Sequence, residues 1–126
     1  MTVSEINTIL ESTGLPVAYY QFDNDTPQQL PFICWLITAH NDVMADNGNY
    51  TEVMRLVIEL YTESKDFALE QQLRAVLAEN DIAFLQEGTE IDAEQMHLET
   101  FTTELVINWA EPPTDPEADD ANNGGL

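Results

Sequence analysis

Residues 50–80 read YTEVMRLVIELYTESKDFALEQQLRAVLAEN, and the hydrophobic period changes in the middle of this stretch. Met54, Leu56, Ile58 and Leu60 alternate with Arg55, Val57 and Glu59, the period-two pattern of a strand with one dry face. After Tyr61 the pattern breaks at Thr62-Glu63-Ser64-Lys65-Asp66. Leu69, Leu73, Val76 and Leu77 then recur at helical spacing, with Ser64 or Asp66 placed to cap the helix start and Asn80 to close its end. A central strand that runs directly into an amphipathic helix supplies two apolar faces that must cover each other, so the rest of the chain should pack around this pair.

Upstream, Thr2-Val3-Ser4-Glu5 reads as a capping box, and Ile6, Ile9 and Leu10 give the stripe of a short helix that stops at Gly14. Pro16 forbids its continuation, and residues 17–22, VAYYQF, are strand formers. Residues 23–27 form a polar turn, and Pro27 and Pro31 keep the following loop extended. Residues 31–38, PFICWLIT, are apolar on both faces, as in a strand at mid-sheet or at a subunit contact. Asn47-Gly48 is a strong turn signal, so 32–38 should pair with 53–62 as an antiparallel hairpin whose long polar tip spans 39–49.

Residues 82–91 resume extended structure, with a bulge or twist expected at Gly88, and 92–95 turn the chain. The last strand, 97–109, places Phe101, Thr103, Leu105, Ile107 and Trp109 on one face. The expected fold is α+β, in the order α-β-β-β-α-β-β: a mostly antiparallel sheet of about five strands with two helices over one face, covering Met54, Leu56, Ile58 and Leu60. Residues 1–110 form one domain. Residues 111–126, EPPTDPEADDANNGGL, carry three prolines, no apolar period and only acidic charges, and should be disordered.

Composition narrows the function. The chain of 126 residues has room for one core, and no run approaches the length that spans a bilayer. The start MTVSEINTIL has neither the basic lead nor the apolar segment of a targeting sequence. Cys34, the only cysteine, sits in an apolar run where a reduced, buried thiol is expected. Arg55, Lys65 and Arg74 oppose 24 acidic residues, for a formal net charge of −21. The tail holds five of those acids, which leaves 19 against 3, or −16, on the body. Three scattered cations cannot neutralise a phosphate backbone, so direct nucleic-acid binding is disfavoured.

Catalytic signatures are missing. His40 and His97 lack metal-ligand spacing and read as solvated histidines. Asp23/Asp25 and Asp42/Asp46 lack the calcium-loop pattern and its terminal Glu. Glycine-rich phosphate loops, a nucleophile elbow and a Cys/His pair are all absent from the sequence, and no carboxylate dyad stands out among so many acids. The expectation is a non-enzyme without metal or cofactor. Aromatic residues occur in every strand, and Trp35 and Trp109 read as candidates for an intersubunit surface.

Several segments, taken in order, carry a resemblance. They are Leu15-Pro16-Val17-Ala18-Tyr19, Pro31-Phe32-Ile33, Val57-Ile58-Glu59-Leu60-Tyr61-Thr62, Lys65-Asp66 followed by Glu70, and Ile91-Asp92 before a Glu-rich last strand. Together they resemble the small tail-terminator or tail-completion proteins (minor tail, head–tail joining) of long-tailed siphovirus phages and prophages of Gram-positive bacteria. The resemblance covers residues 1–108; the strong acidity and the acidic tail depart from the family pattern. It implies a structural virion protein made in the host cytoplasm, with a sheet flanked by helices, assembled as a homohexameric ring in the neck at the head-proximal end of the tail tube. Such a ring stops tube growth and meets the tail tube protein on one side and a head-closure or connector protein on the other. Genomic DNA passes through its lumen without specific binding, no membrane is involved, and no catalytic residues are implied.

An acidic lumen would repel phosphates, which suits that role. Asp42, Asp46, Asn47, Gly48 and Asn49, in the long hairpin tip, are the candidate contacts to an adjacent ring. Two alternatives are an acidic DNA mimic that inhibits a DNA-binding protein, which the net charge favours, and a head-closure (stopper) protein of the same neck.

Overall fold

A computed structural model describes residues 1–22, 28–43 and 50–109. The tail expected to be disordered lies outside the described residues. The elements run α1 (Val3–Glu11), β1 (Val17–Tyr19), β2 (Phe32–Val43), β3 (Tyr50–Thr62), α2 (Phe67–Glu79), β4 (Leu85–Ile91), a 3-10 turn (Asp92–Glu94) and β5 (Met96–Trp109). This is the expected α+β order. The described strands form one sheet, β1-β2-β3-β5-β4, so the strand of the opening stretch lies at its centre.

Both helix starts follow from their caps. The Thr2 hydroxyl accepts from the Glu5 backbone N at 3.1 Å while the Glu5 carboxylate accepts from the Thr2 N at 2.8 Å, the reciprocal capping box. Asp66 caps α2 by accepting from Leu69 N at 3.0 Å. Gly14 follows α1 at φ +87°, a conformation that glycine adopts without strain. Ile6 and Leu10 of α1, Leu73 and Leu77 of α2, and Ile82 close over Ile33, Trp35, Met54, Leu56, Ile58, Leu60 and Phe101 of the sheet. The predicted row of Met54, Leu56, Ile58 and Leu60 is buried throughout.

The sheet is mostly antiparallel, as expected, and differs in detail. Its one parallel pair is β1 with β2, where Val17 stands opposite Ile33. A parallel neighbour needs a connection of about a dozen residues, and 20–31 supplies that length. The hairpin arms are also longer than predicted: the β2–β3 ladder continues to Val43 opposite Thr51, because polar side chains do not interrupt backbone pairing. A register shift between Ile37 and Ala39 leaves Thr38 as the extra residue and exchanges the two faces of β2 beyond it. Finally, no bulge interrupts Gly88, which pairs in continuous register with Glu99.

Candidate functional site

Two features stand out: a buried charge cluster under the start of α2, and the sheet face opposite the helices. The cluster follows from register. On β5 the inward row is His97, Glu99, Phe101 and Thr103, and the β4 residues opposite its first three members are Glu90, Gly88 and Gln86. Above them, Glu70 lies on the inward stripe of α2 with Leu73 and Leu77. Glu70, His97 and Glu99 are 5%, 5% and 2% exposed. His97 is therefore a core residue and not the solvated histidine expected, since its position on the β5 row turns it under α2.

Charged groups reach the cluster from every side. Lys65 Nζ lies 2.9 Å from both Glu70 Oε1 and Glu99 Oε2. Gln86 Nε2 donates to Glu99 Oε1 at 2.7 Å and to Glu70 Oε1 at 3.3 Å, and Gln86 Oε1 accepts from Arg74 at 2.8 Å. His97 spans two carboxylates, with Nδ1 at 2.6 Å from Glu90 Oε2 and Nε2 at 2.5 Å from Glu99 Oε2. Burial would raise the Glu99 pKa, but the hydrogen bonds from Gln86, His97 and Lys65 outweigh it and hold the carboxyl down at about 2. Burial alone would lower His97, and its bonds to Glu99 and Glu90 reverse that, raising it above its ordinary value. The hydrogen bonds to Glu99 and Glu70 likewise raise Lys65.

Gly88 makes room for this network. A Cβ there would overlap Glu99 Oε2, and it would lie 3.2 Å from Glu99 Cδ and 3.4 Å from His97 Nε2. Glu70 Oε2 is buried without a hydrogen-bond partner among the described residues. One ligand atom from each of Glu70, His97 and Glu99 falls within 4.8 Å of the others. These are mixed nitrogen and carboxylate donors of the kind that hold a divalent cation.

The opposite sheet face carries Phe32, Cys34, Leu36, Val57, Glu59, Tyr61, Leu98 and Thr100, and the two described helices both pack on the other face. Phe32 stacks on Tyr61 with centroids 5.0 Å apart, and Phe22 meets Phe32 edge-on at 5.3 Å. These rings, with Tyr20, Leu30 and Met96, line a groove of ≈ 580 Å³. Tyr20, at the rim, is 62% exposed and has φ +74°, a left-handed conformation that costs a bulky residue energy. Cys34 is buried as expected, and burial followed by the charge of Glu59 pushes its thiol up to about 11. The same two causes raise the Tyr61 phenol.

The residues predicted from sequence do not gather in one place. Trp35 is a correction: it is 2% exposed on the helix side, its Nε1 donates to Asn7 Oδ1 at 3.2 Å, and its ring meets Tyr19 edge-on at 4.9 Å. The residues before the bulge alternate strictly, which sends Ile33, Trp35 and Ile37 inward and leaves Trp35 no surface to offer a neighbour. Asp42 lies in β2, opposite Glu52. Asp46, Asn47, Gly48 and Asn49 lie outside the described residues. Trp109 ends β5, opposite Tyr50. The charge cluster was missed, although two signals pointed to it: Glu70 stands at helical spacing from Leu73 and Leu77, and His97 and Glu99 precede Phe101 at period two.

No known protein family matches the chain, and no curated protein does. Among solved structures, a chain from the virion of a native gene transfer agent particle is similar in fold, with a TM-score of 0.51 at 14% identity over 83% of this chain and 88% of that one. At that identity the likeness is one of fold.

Proposed function

We propose that the protein is a non-enzymatic structural subunit of a phage-like virion, and that it closes into a ring at the head-proximal end of the tail tube. There it ends tube growth and joins the tail to the head connector. The observation that carries this reading is the shared fold with a virion chain over most of both lengths. The ordered resemblance of residues 1–108 to tail terminators supports it independently. The open sheet face adds a surface suited to self-association, with Tyr20, Leu85 and Val106 at 62%, 76% and 49% exposure.

The contact set then consists of that face and the far end of the β2–β3–β5 arm. Strands β2, β3 and β5 all continue past Ile37, Met54 and Leu105, which pack on the core. Asp42 and Trp109 belong to the arm, whereas Trp35 does not.

Light scattering across concentration and salt, with and without purified tail tube protein, tests the proposal. The expected result is growth from the 14.2 kDa monomer to a species of about 85 kDa, a closed ring of six copies, promoted by salt or by tube protein. A mass that stays monomeric under all conditions, with tight salt-sensitive binding to a basic DNA-binding protein, would overturn it in favour of the acidic mimic.

A further inference from the structure

We propose that Glu70, His97 and Glu99 form a binding site for one divalent transition-metal cation of the zinc class, which clamps α2 to β5. The donors come from two elements that meet only in the fold, and they supply one imidazole nitrogen and two carboxylates within 4.8 Å of one another. Zinc accepts such mixed sets of three protein ligands with a further open position. The sequence reading assigned no metal to His97 because its partners lie 27 and 2 residues away along the chain, a spacing that matches no ligand motif.

Four details favour a cation over a closed ion-pair network. First, Glu70 Oε2 is buried with no partner among the described residues, and an orphaned buried carboxylate oxygen is the kind of group that an ion satisfies. Second, the donors are already oriented. Glu90 Oε2 holds the Nδ1 proton of His97 at 2.6 Å, so a cation would displace only the proton that Nε2 now gives to Glu99 Oε2 and would find the ring already aimed. A carboxylate behind a ligating histidine is the usual outer support of a zinc site. Gln86 does the same for Glu99, occupying Oε1 at 2.7 Å and leaving Oε2 toward the site.

Third, Gly88 presents no side chain to the cluster, which lets Glu99 Oε2 and His97 Nε2 approach the β4 backbone closely. Fourth, the positive charge now between the carboxylates is the Lys65 ammonium, whose side chain is 38% exposed and can swing out to water. A divalent ion would neutralise both carboxylates, and Lys65 competes with it for the same oxygens. The site therefore has a built-in competitor whose removal should strengthen binding.

The test uses the full chain, freed of metal with a chelator and titrated with zinc chloride beside magnesium chloride at equal concentration. Equilibrium dialysis with elemental analysis should find one zinc per chain. Saturating zinc should raise the Tm by about 10 °C, and magnesium should not. The chain has two histidines, so imidazole NMR discriminates the site: zinc should move the ring signals of His97 and leave those of His40 in place.

Glu70→Gln should weaken zinc affinity at least tenfold. Lys65→Ala keeps all three donors, so it should lower the Tm of the metal-free protein yet bind zinc more tightly than the wild type. Equal stabilisation by magnesium and zinc, zinc shifts at both histidines, or unchanged zinc affinity in Glu70→Gln would each overturn the site and leave general condensation on an acidic surface. Weaker zinc binding by Lys65→Ala would overturn it too, since that would make the ammonium a support and not a competitor.

Discussion

Replacing Gly88 with alanine tests the cluster at its tightest point. In the interior of an ordinary strand this exchange gains about 0.5–1 kcal/mol, because glycine loses the most backbone entropy on folding. Gly88 should do the opposite. Its backbone lies outside the left-handed region, so the dihedrals themselves permit alanine. The added methyl, however, would overlap Glu99 Oε2 and crowd Glu99 Cδ at 3.2 Å. Glu99 is 2% exposed and pairs directly opposite, so its carboxylate cannot leave for solvent and must rotate away from its donors.

Rotation breaks the bond to His97 and strains the bond from Gln86, and a charge-assisted hydrogen bond of this kind contributes about 1.5–3 kcal/mol. Set against the entropic gain, the net loss is about 2 kcal/mol, or a Tm lower by about 10 °C for a body of this size. Thermal unfolding followed by circular dichroism reads it directly. The control is the same exchange in a Glu99→Ala background, where nothing remains to collide with the methyl and alanine should stabilise. The argument fails if Gly88→Ala melts at or above the wild type, or if its cost is the same with Glu99 removed.

Four further outcomes are expected. With metals chelated, stability should be greatest between pH 4.5 and 6.5. Glu99, whose folded pKa is depressed to about 2, adds stability that is lost as pH falls from 4.5 toward 2; His97, whose folded pKa is raised, adds stability that is lost as pH rises above 6.5 through its folded value. A pH series of melting curves checks this, and His97→Gln should abolish the alkaline decline. Leu73→Ala, at a fully packed position between α2 and the sheet, should cost about 2–5 kcal/mol in urea unfolding. Thr2→Ala removes the cap of α1 and should cost about 1 kcal/mol by the same assay. Cys34, with its thiol near 11, should react with a disulfide reagent at pH 8 at least 100-fold more slowly in the native protein than in urea, because only about one thiol in 10³ is ionised there.

The central strand and its helix were legible because each has a dry face with an unmistakable period, and burying those faces settles most of the packing. The parallel partner of β1 was not legible. A strand of three residues has no usable period, and its direction depends on how the connection 20–31 travels, which composition does not encode. Thr38 hides its bulge for a related reason: the residues on both sides are compatible with a strand, and only the register against Leu56 and Arg55 exposes the extra one.

At Gly88 the sequence signals a bulge or twist, and the ladder carries no bulge there. A glycine in a strand signals either an irregular backbone or a close neighbour, and the neighbour appears only once β4 is laid against β5. The acids of the cluster were concealed by number. With 24 carboxylates in the chain, none is conspicuous by type, and those that matter are distinguished by standing where an apolar residue belongs.

The same scarcity of cations bears on assembly. Every lysine and arginine in the chain is engaged within the fold: Arg55 pairs with Glu104 across β3 and β5 at 3.1 Å, Lys65 bridges Glu70 and Glu99, and Arg74 donates to Gln86 and lies over the Phe84 ring. Two copies therefore meet as anions, and the attraction between them has to come from apolar groups such as Tyr20, Leu85 and Val106. Raising the salt from 0.1 M to 1 M shortens the screening length from about 10 Å to about 3 Å, which weakens repulsion between copies and leaves apolar contact intact. Self-association should therefore strengthen with salt. An acidic decoy binding a basic partner would behave in the opposite way, because salt screens the attraction that holds it there. The sign of the salt dependence of the dominant interaction thus separates the two readings before any ring is imaged: a ring subunit gains partners as salt rises, and a decoy loses its partner.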